Sequence, residues 1–331
     1  MTSWALQLVR QRAAALRAMR RWFDDEDFVE VATHQLLPAP STEPHIDPLV
    51  VQVATDLTQP HLTSPRYLHT SPELALKRVL ALGADRVFSL ARVFRDGEVS
   101  PRHLPEFDML EWYRTGAPLT QLQDDCMALL RAVVDAVEGN PALDVDTFDV
   151  ASCHDLFAAH ADVDLRASLV ALRDGDVTHL ARQAHQAGHA VRVDDVFEDV
   201  FHHLMGTRVE VAIGQERPCF VTRWPYSMAV FSKLCADDDL FAERFEMYAC
   251  GLELANAFDE VTDVDEQRAR FDADLDERRA LGKPDLPVDE DFLQALAHMP
   301  PTSGIALGWE RLLMVALDVD DIQQVQPLPW R

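Results

Sequence analysis

An α+β fold, an antiparallel β-sheet flanked by helices, is predicted by three features of this 331-residue sequence. Strand-like runs at residues 87–94 and 107–113 are separated by a polar loop carrying Asp96-Gly97, Pro101 and Pro105, as in a long-looped antiparallel pair. Runs at 245–249 and 252–258 meet at Cys250-Gly251, the length of a two-residue hairpin turn. Helical periodicity surrounds these strands at residues 4–23, 124–138 and 265–281.

The first helix spaces Ala13, Leu16, Met19, Arg20 and Phe23 as an amphipathic helix packing on a domain would. Its arginine-rich stretch runs straight into acidic residues 24–27, which speaks against an organelle transit peptide. Residues 28–31 alternate as a short strand, and a proline-rich surface loop follows through Pro48. Ser71-Pro72-Glu73 opens a helix to about residue 82, with Ser71 as its cap, Pro72 at its first position and Glu73 in its first turn. Gly139-Asn140-Pro141 stops the helix at 124–138. Residues 141–214 mix helical signals with many acidic side chains and suggest no chemistry, so they read as a peripheral insertion in a single catalytic domain spanning 1–331. A strand at 219–224 precedes the hairpin, and a glycine-bearing strand at 305–307 leads into a helix opening near Trp309.

Composition sets outer bounds. Hydrophobic residues make up 48% of the chain, enough for a buried core, while a formal charge of −26 works against general attraction to nucleic acid or anionic membranes. The apolar runs fall short of the roughly twenty residues of a transmembrane helix, and no secretory signal is evident, so a cytoplasmic protein without a membrane partner is expected. Five scattered cysteines without a C-x-x-C pair suggest reduced thiols. Walker A, G-x-G-x-x-G, H-E-x-x-H and G-x-S-x-G signatures are all missing.

The strand at 107–113 carries an unusual face. Alternation points Phe107, Met109, Glu111 and Tyr113 one way, which would suit a stacked purine at one end and a gripped ammonium at the other. Pairing of Glu111 with a neighbouring arginine is the simpler alternative. A turn at Cys250-Gly251 sets Tyr248 opposite Glu253 and makes Glu246 its diagonal neighbour, so that two carboxylates converge. They would suit a shared magnesium ion, or they lie exposed to solvent. Arg95 and Arg311 are candidates to meet a developing negative charge.

The run Phe94-Arg95-Asp96-Gly97-Glu98, with residues 102–113 ending Met109-Leu110-Glu111-Trp112-Tyr113, resembles motif 2 of the class II aminoacyl-tRNA synthetases in its lysyl form. Residues 304–312, with Gly308-Trp309-Glu310-Arg311, look like motif 3. Thr70-Ser71-Pro72-Glu73 and Glu253-Leu254-Ala255-Asn256 through Glu260 match the lysine-site segments of that subgroup, and residues 13–31 look like motif 1. The motif 1-like segment opens this sequence, so the arrangement expected is that of the stand-alone paralogues that lack an anticodon-binding fold and act on elongation factor P.

The resemblance implies an ATP-dependent, adenylate-forming ligase in which Arg95 and Arg311 are catalytic. It implies ATP contacts from Arg95, Asp96, Gly97, Glu98, His103, Leu104, Phe107, Glu253, Leu254, Gly308 and Arg311, with Phe107 and Arg311 sandwiching the adenine, and Mg2+ held by Glu246 and Glu253. The amino-acid site would comprise Ser71, Pro72, Glu73, Glu111, Tyr113, Asn256, Glu260 and Ala306. Glu73 and Glu111 would hold the ammonium nearer the reacting carboxylate, and Tyr113, Asn256 and Glu260 the distal one. The implied partners are β-lysine or lysine, elongation factor P, and a second copy in a homodimer; tRNA is not expected. A shortened enzyme charging tRNA or another small acceptor, and a silent regulatory dimer, are the rival readings. Departures from the family pattern fall at Gly97, at His34 in motif 1, at Ala257, and at Ala306, whose methyl would crowd an α-amine and favour β-lysine.

Overall fold

The computed structural model describes residues 3–330. The backbone groups into two compact units, one of Met1–Pro118, Ala132–Gly139 and Glu260–Arg331, the other of Leu119–Arg131 and Asn140–Asp259.

The first unit opens with α1 (Ser3–Asp25). Leu8, Ala15, Met19 and Phe23 are buried at helical spacing, and the Phe23 ring stacks on Phe88 at 4.0 Å and meets Trp112 edge-on at 5.8 Å. That packing anchors the helix through its apolar stripe, and Arg12 adds a hydrogen bond to Val325 O at 2.8 Å and an ion pair with Glu310 at 3.3 Å. Next come β1 (Val29–Glu30), β2 (Leu36–Leu37), β3 (Val50–Ala54) and β4 (Thr63–Leu68). The last three form a small sheet in the order β2–β4–β3, of which only β2 falls within the stretch that the sequence suggests as a surface loop through Pro48. After α2 (Glu73–Ala81), the strands β5 (Arg86–Phe94) and β6 (Glu106–Thr115) pair antiparallel as expected, with Ser89 opposite Glu111 and Val93 opposite Phe107. The helix α3 (Leu119–Val137), whose residues Leu119–Arg131 are grouped with the second unit, ends at Glu138, which adopts the left-handed conformation next to Gly139.

The second unit contains β7 (Asp149–Ser152), α4 (Cys153–Ala161), α5 (Leu165–Arg173), α6 (His179–Gln186), α7 (Phe197–Leu204), β8 (Cys219–Pro225), β9 (Phe241–Ala249) and β10 (Leu252–Asp259). Residues 141–214 supply the helices. Ser152 and Asp164 cap α4 and α5 by accepting from Asp155 N and Ala167 N. Phe157 and Phe201 stack at 4.7 Å and share a buried cluster with Trp224 and Phe241, so these helices and the strands β8 and β9 have one core. The strands run in the order β10–β9–β8–β7. Cys250 and Gly251 both have positive φ, 52° and 70°, as a tight hairpin turn requires. The register sets Tyr248 opposite Glu253, and a bulge between Glu253 and Ala255 then sets Asn256 opposite Glu246.

The chain returns to the first unit with α8 (Val264–Ala280), α9 (Glu290–Leu296), β11 (Thr302–Gly308) and α10 (Trp309–Leu317). β11 pairs with β6, setting Gly304 opposite Tyr113 and Ala306 opposite Glu111. The first unit's strand order β1–β5–β6–β11 thus presents the 107–113 face beside the motif 3-like strand. No helix among the described residues is long and apolar enough to cross a membrane.

Candidate active site

Three carboxylates of the first unit meet below the start of α2. Pro72 takes the helix cap, one residue later than expected for the start, yet the Ser71 hydroxyl still accepts from Glu73 N at 2.9 Å. The same hydroxyl donates to Glu111 Oε1 at 2.6 Å, and the Tyr113 hydroxyl donates to Glu111 Oε2 at 3.0 Å. Glu111 is therefore held by two hydroxyls and not by an arginine. Its carboxyl is pushed up to about 8, first by burial and then by the charge of Glu73, which outweigh the two hydrogen bonds and the nearby Lys77. Tyr113 is fully buried against it and also pushed upward, by burial and by the surrounding carboxylates.

Lys77 sits in the middle of this acid cluster. One turn along α2 from Glu73, it places Nζ 2.5 Å from Glu73 Oε1 and 2.7 Å from Glu260 Oε2. Desolvation alone would lower its pKa, but the charges of Glu260 and Glu73 hold it above the ordinary value. Glu260 is fixed in turn by its backbone, whose N–H donates to Thr302 O at 2.9 Å. Gly304 completes the floor. A side chain there would run into the Tyr113 ring and the Glu260 carboxylate.

A second group lies at the other end of the same face. Phe107 is four residues from Glu111 along β6, roughly 14 Å at strand rise. Arg95, just past β5, lays its guanidinium 5.2 Å over the Phe107 ring and comes within 3.7 Å of Glu98. Its Nε is buried without a hydrogen-bond partner. Asp96 N donates to Asp47 O at 2.8 Å, and Gly97 takes a φ of 79° in open space, so the 96–98 turn is built on a glycine where the family pattern has glutamate. Arg311 donates to His103 Nε2 at 2.6 Å, and Ser100 Oγ lies 2.8 Å from His103 Nδ1. Because guanidinium can only donate, His103 is neutral here with its proton on Nδ1. Arg311 thus stands with His103, while Arg95 covers Phe107. Leu104 is buried beside them, and Gly308 caps α10 three residues before Arg311.

The second unit carries the remaining candidates. Arg244, Glu246 and Tyr248 alternate on one face of β9: Glu246 Oε1 accepts from Arg244 and Oε2 from Tyr248, each at 2.5 Å. Asn256 Oδ1 accepts from Arg244 Nε at 3.1 Å, and the guanidinium rests 4.4 Å over Trp224. Burial, then the charge of Glu253, pushes Glu246 up to about 7. Among the described residues no group of three or more His, Cys, Asp or Glu side chains forms a metal cage. A pair of hard oxygen donors whose mutual repulsion is incompletely offset by Arg244 nevertheless fits a divalent cation that brings its other ligands with it.

A sequence profile of the class II tRNA synthetases (D, K and N) matches residues 2–331. The chain belongs to that family. It is 37% identical over 324 residues to the elongation factor P–(R)-β-lysine ligase of Edwardsiella ictaluri, covering 95% of this chain and 92% of that protein. It is 35% identical to the ligase of the same name from Pectobacterium carotovorum subsp. carotovorum, covering 98% of this chain and 96% of that protein, and 36% identical to that of Haemophilus ducreyi, covering 97% and 93%. The fold is accordingly the α+β, antiparallel-sheet core of the class II synthetases.

Sequence reasoning named Glu73, Glu111 and Glu260 but missed Lys77, Gly304 and Arg244. Lys77 had a signal, since it lies four residues from Glu73 and between the buried Leu76 and Leu80. Arg244 had one too, two residues before Glu246 on the same strand face.

Proposed function

We propose that this chain activates (R)-β-lysine, or lysine, with ATP as an aminoacyl-adenylate and passes the acyl group to a lysine side chain of elongation factor P. The observation that carries the reading is the buried cluster of Glu73, Glu111 and Glu260 with Tyr113 on the strand face whose other end holds Phe107 and Arg95. Buried carboxylates in this number need cations, and a diamino acid supplies two. Glu73 and Glu111 would take the ammonium nearer the reacting end; Tyr113, Asn256 and Glu260 the distal one. The methyl of Ala306, which pairs with Glu111, would crowd an α-amine and so favour the β-amino isomer.

In the first step the substrate carboxylate oxygen attacks the α-phosphorus in line, and the bond to the bridging oxygen breaks to release pyrophosphate. Arg95 would neutralise the charge that builds on the α-phosphate oxygens, neutral His103 would meet the remaining phosphates, and Phe107 and Arg311 would sandwich the adenine once Arg95 swings off the Phe107 ring. Asp96, Gly97, Glu98, Leu104, Leu254 and Gly308 would shape the nucleotide site. Glu246 and Glu253 would hold Mg2+, which supplies charge neutralisation to the phosphates when bound. In the second step a deprotonated amine attacks the acyl carbon and AMP departs. The enzyme would work as a cytoplasmic homodimer without tRNA, in keeping with the charge of −26.

Pyrophosphate exchange across a panel of α- and β-diamino acids, followed by transfer to purified elongation factor P, tests the reading. Exchange strongest with (R)-β-lysine and labelling of the protein acceptor are expected; exchange with neutral amino acids but not diamino acids would overturn it.

A further inference from the structure

Most of the acid cluster matches what a diamino acid needs, but Lys77 does not. Its side chain is 1% exposed, and its ammonium occupies the place between Glu73 and Glu260 where a ligand's cation would otherwise fit. A lysine buried this deeply remains charged only because carboxylates surround it, and taking its charge out of water costs on the order of several kcal/mol. Such a cost is retained where the charge performs a task.

We propose that Lys77 is a positioning residue that sets the charge of the amino-acid site: it holds Glu73 and Glu260 ionised and at fixed separation before substrate arrives, so that loss of the Glu111 proton on binding leaves the site short of two positive charges. This rests on the functional reading above and adds to it. The groups that face Lys77 are Glu73 on its own helix and Glu260 after β10, with Glu111 and Tyr113 of β6 behind them. Once Glu111 gives up its proton to the arriving dication, three carboxylates and one ammonium leave a surplus of two negative charges, one for each ammonium of a diamino acid whose own carboxylate is met elsewhere. Without Lys77 the three carboxylates stand together unscreened in a dry site. Two like charges at such distances cannot both ionise near neutrality, so the acids take up protons. A dication would then have to expel those protons to bind, and its affinity would depend steeply on pH. Lys77 also restricts the carboxylates geometrically. Each gives one oxygen to Nζ.

The test uses the full chain and ATP–pyrophosphate exchange with (R)-β-lysine and lysine from pH 6 to 9. Lys77→Gln keeps a hydrogen-bonding group but removes the charge, and Lys77→Arg keeps the charge. For Lys77→Gln, KM for the diamino acid is expected to rise roughly tenfold or more at pH 7, the effect of one pKa unit on each displaced proton, and to return toward wild type as pH approaches 9. KM for ATP should stay within about twofold, and Lys77→Arg should keep the wild-type pH profile. A Lys77→Gln profile superimposable on wild type, or a parallel rise in KM for ATP, would overturn the proposal. Absence of diamino-acid exchange in the wild-type chain would instead overturn the functional reading. Should the variants fail to fold, calorimetry of diamino-acid binding to the wild-type chain in buffers of different ionisation enthalpy decides. Release of no more than one proton, that of Glu111, supports a pre-ionised Glu73 and Glu260, and release of two or more refutes it.

Discussion

Gly304 on β11 lies directly opposite Tyr113 on β6, and the space a methyl group would need at Gly304 is taken by the Tyr113 ring and the Glu260 carboxylate. Gly304→Ala therefore forces one of these side chains out of the proposed amino-acid site. Overpacking of this kind costs about 1–3 kcal/mol. Expected is a lowered Tm and a rise in KM for the diamino acid that exceeds any change for ATP; an unchanged KM for the diamino acid would show that the site lies elsewhere.

Glu111 links stability to pH. The folded chain keeps its proton up to about pH 8, whereas the unfolded chain releases it near the ordinary 4.5. Between those values the unfolded state binds fewer protons, so Glu111 contributes stability at low pH that is lost as pH rises through that window. Without substrate, Glu111→Gln should be less sensitive than wild type between pH 5 and 8, in thermal melts recorded across that range (about three pH units). Equal slopes for both proteins would contradict the assignment.

Glu260 is the carboxylate assigned to the distal amine. Glu260→Gln keeps an oxygen but removes the charge that meets both Lys77 and the ligand. The preference for lysine over norleucine in pyrophosphate exchange should narrow by about two orders of magnitude, with KM for ATP little changed, since a site built for a polar group discriminates by leaving its own groups unpaired when the wrong ligand binds. Unaltered discrimination would remove Glu260 from the role.

Arg95 is held loosely, by a 3.7 Å pair with Glu98 and by the Phe107 ring. Arg95→Ala should leave Tm within a degree or two, because partly exposed pairs of this geometry contribute about 1 kcal/mol or less. The exchange rate should fall about 10²–10³-fold, the usual cost of removing one preorganised donor from a developing charge. A large drop in Tm with preserved exchange would assign Arg95 to the fold instead.

The strands of the synthetase core are legible in the sequence because their alternation and turns follow simple periods. The β5–β6 pair, the Cys250-Gly251 turn and the Tyr248–Glu253 register all follow from residue order alone. The sheet of β2, β3 and β4 does not, because Val50, Val51 and Leu36 are exposed and no apolar face marks the strands. The helices α4 to α7 are blurred for a different reason: they are eight or nine residues long, too short for a period to stand out. In the site, Glu73, Glu111 and Glu260 come from family wording, whereas Lys77 escapes notice because a lysine is ordinarily read as surface. Only the buried ion pairs on both sides of it show otherwise.

The Ser71 hydroxyl has one proton, given to Glu111, and one lone pair in use, accepting from the Glu73 amide. Any ligand that draws Glu111 away must therefore loosen or tighten the first turn of α2 at the same moment. The Glu73 amide is a built-in gauge of occupancy, and its hydrogen-exchange rate would report a cation arriving several bonds away without any label being added to the protein.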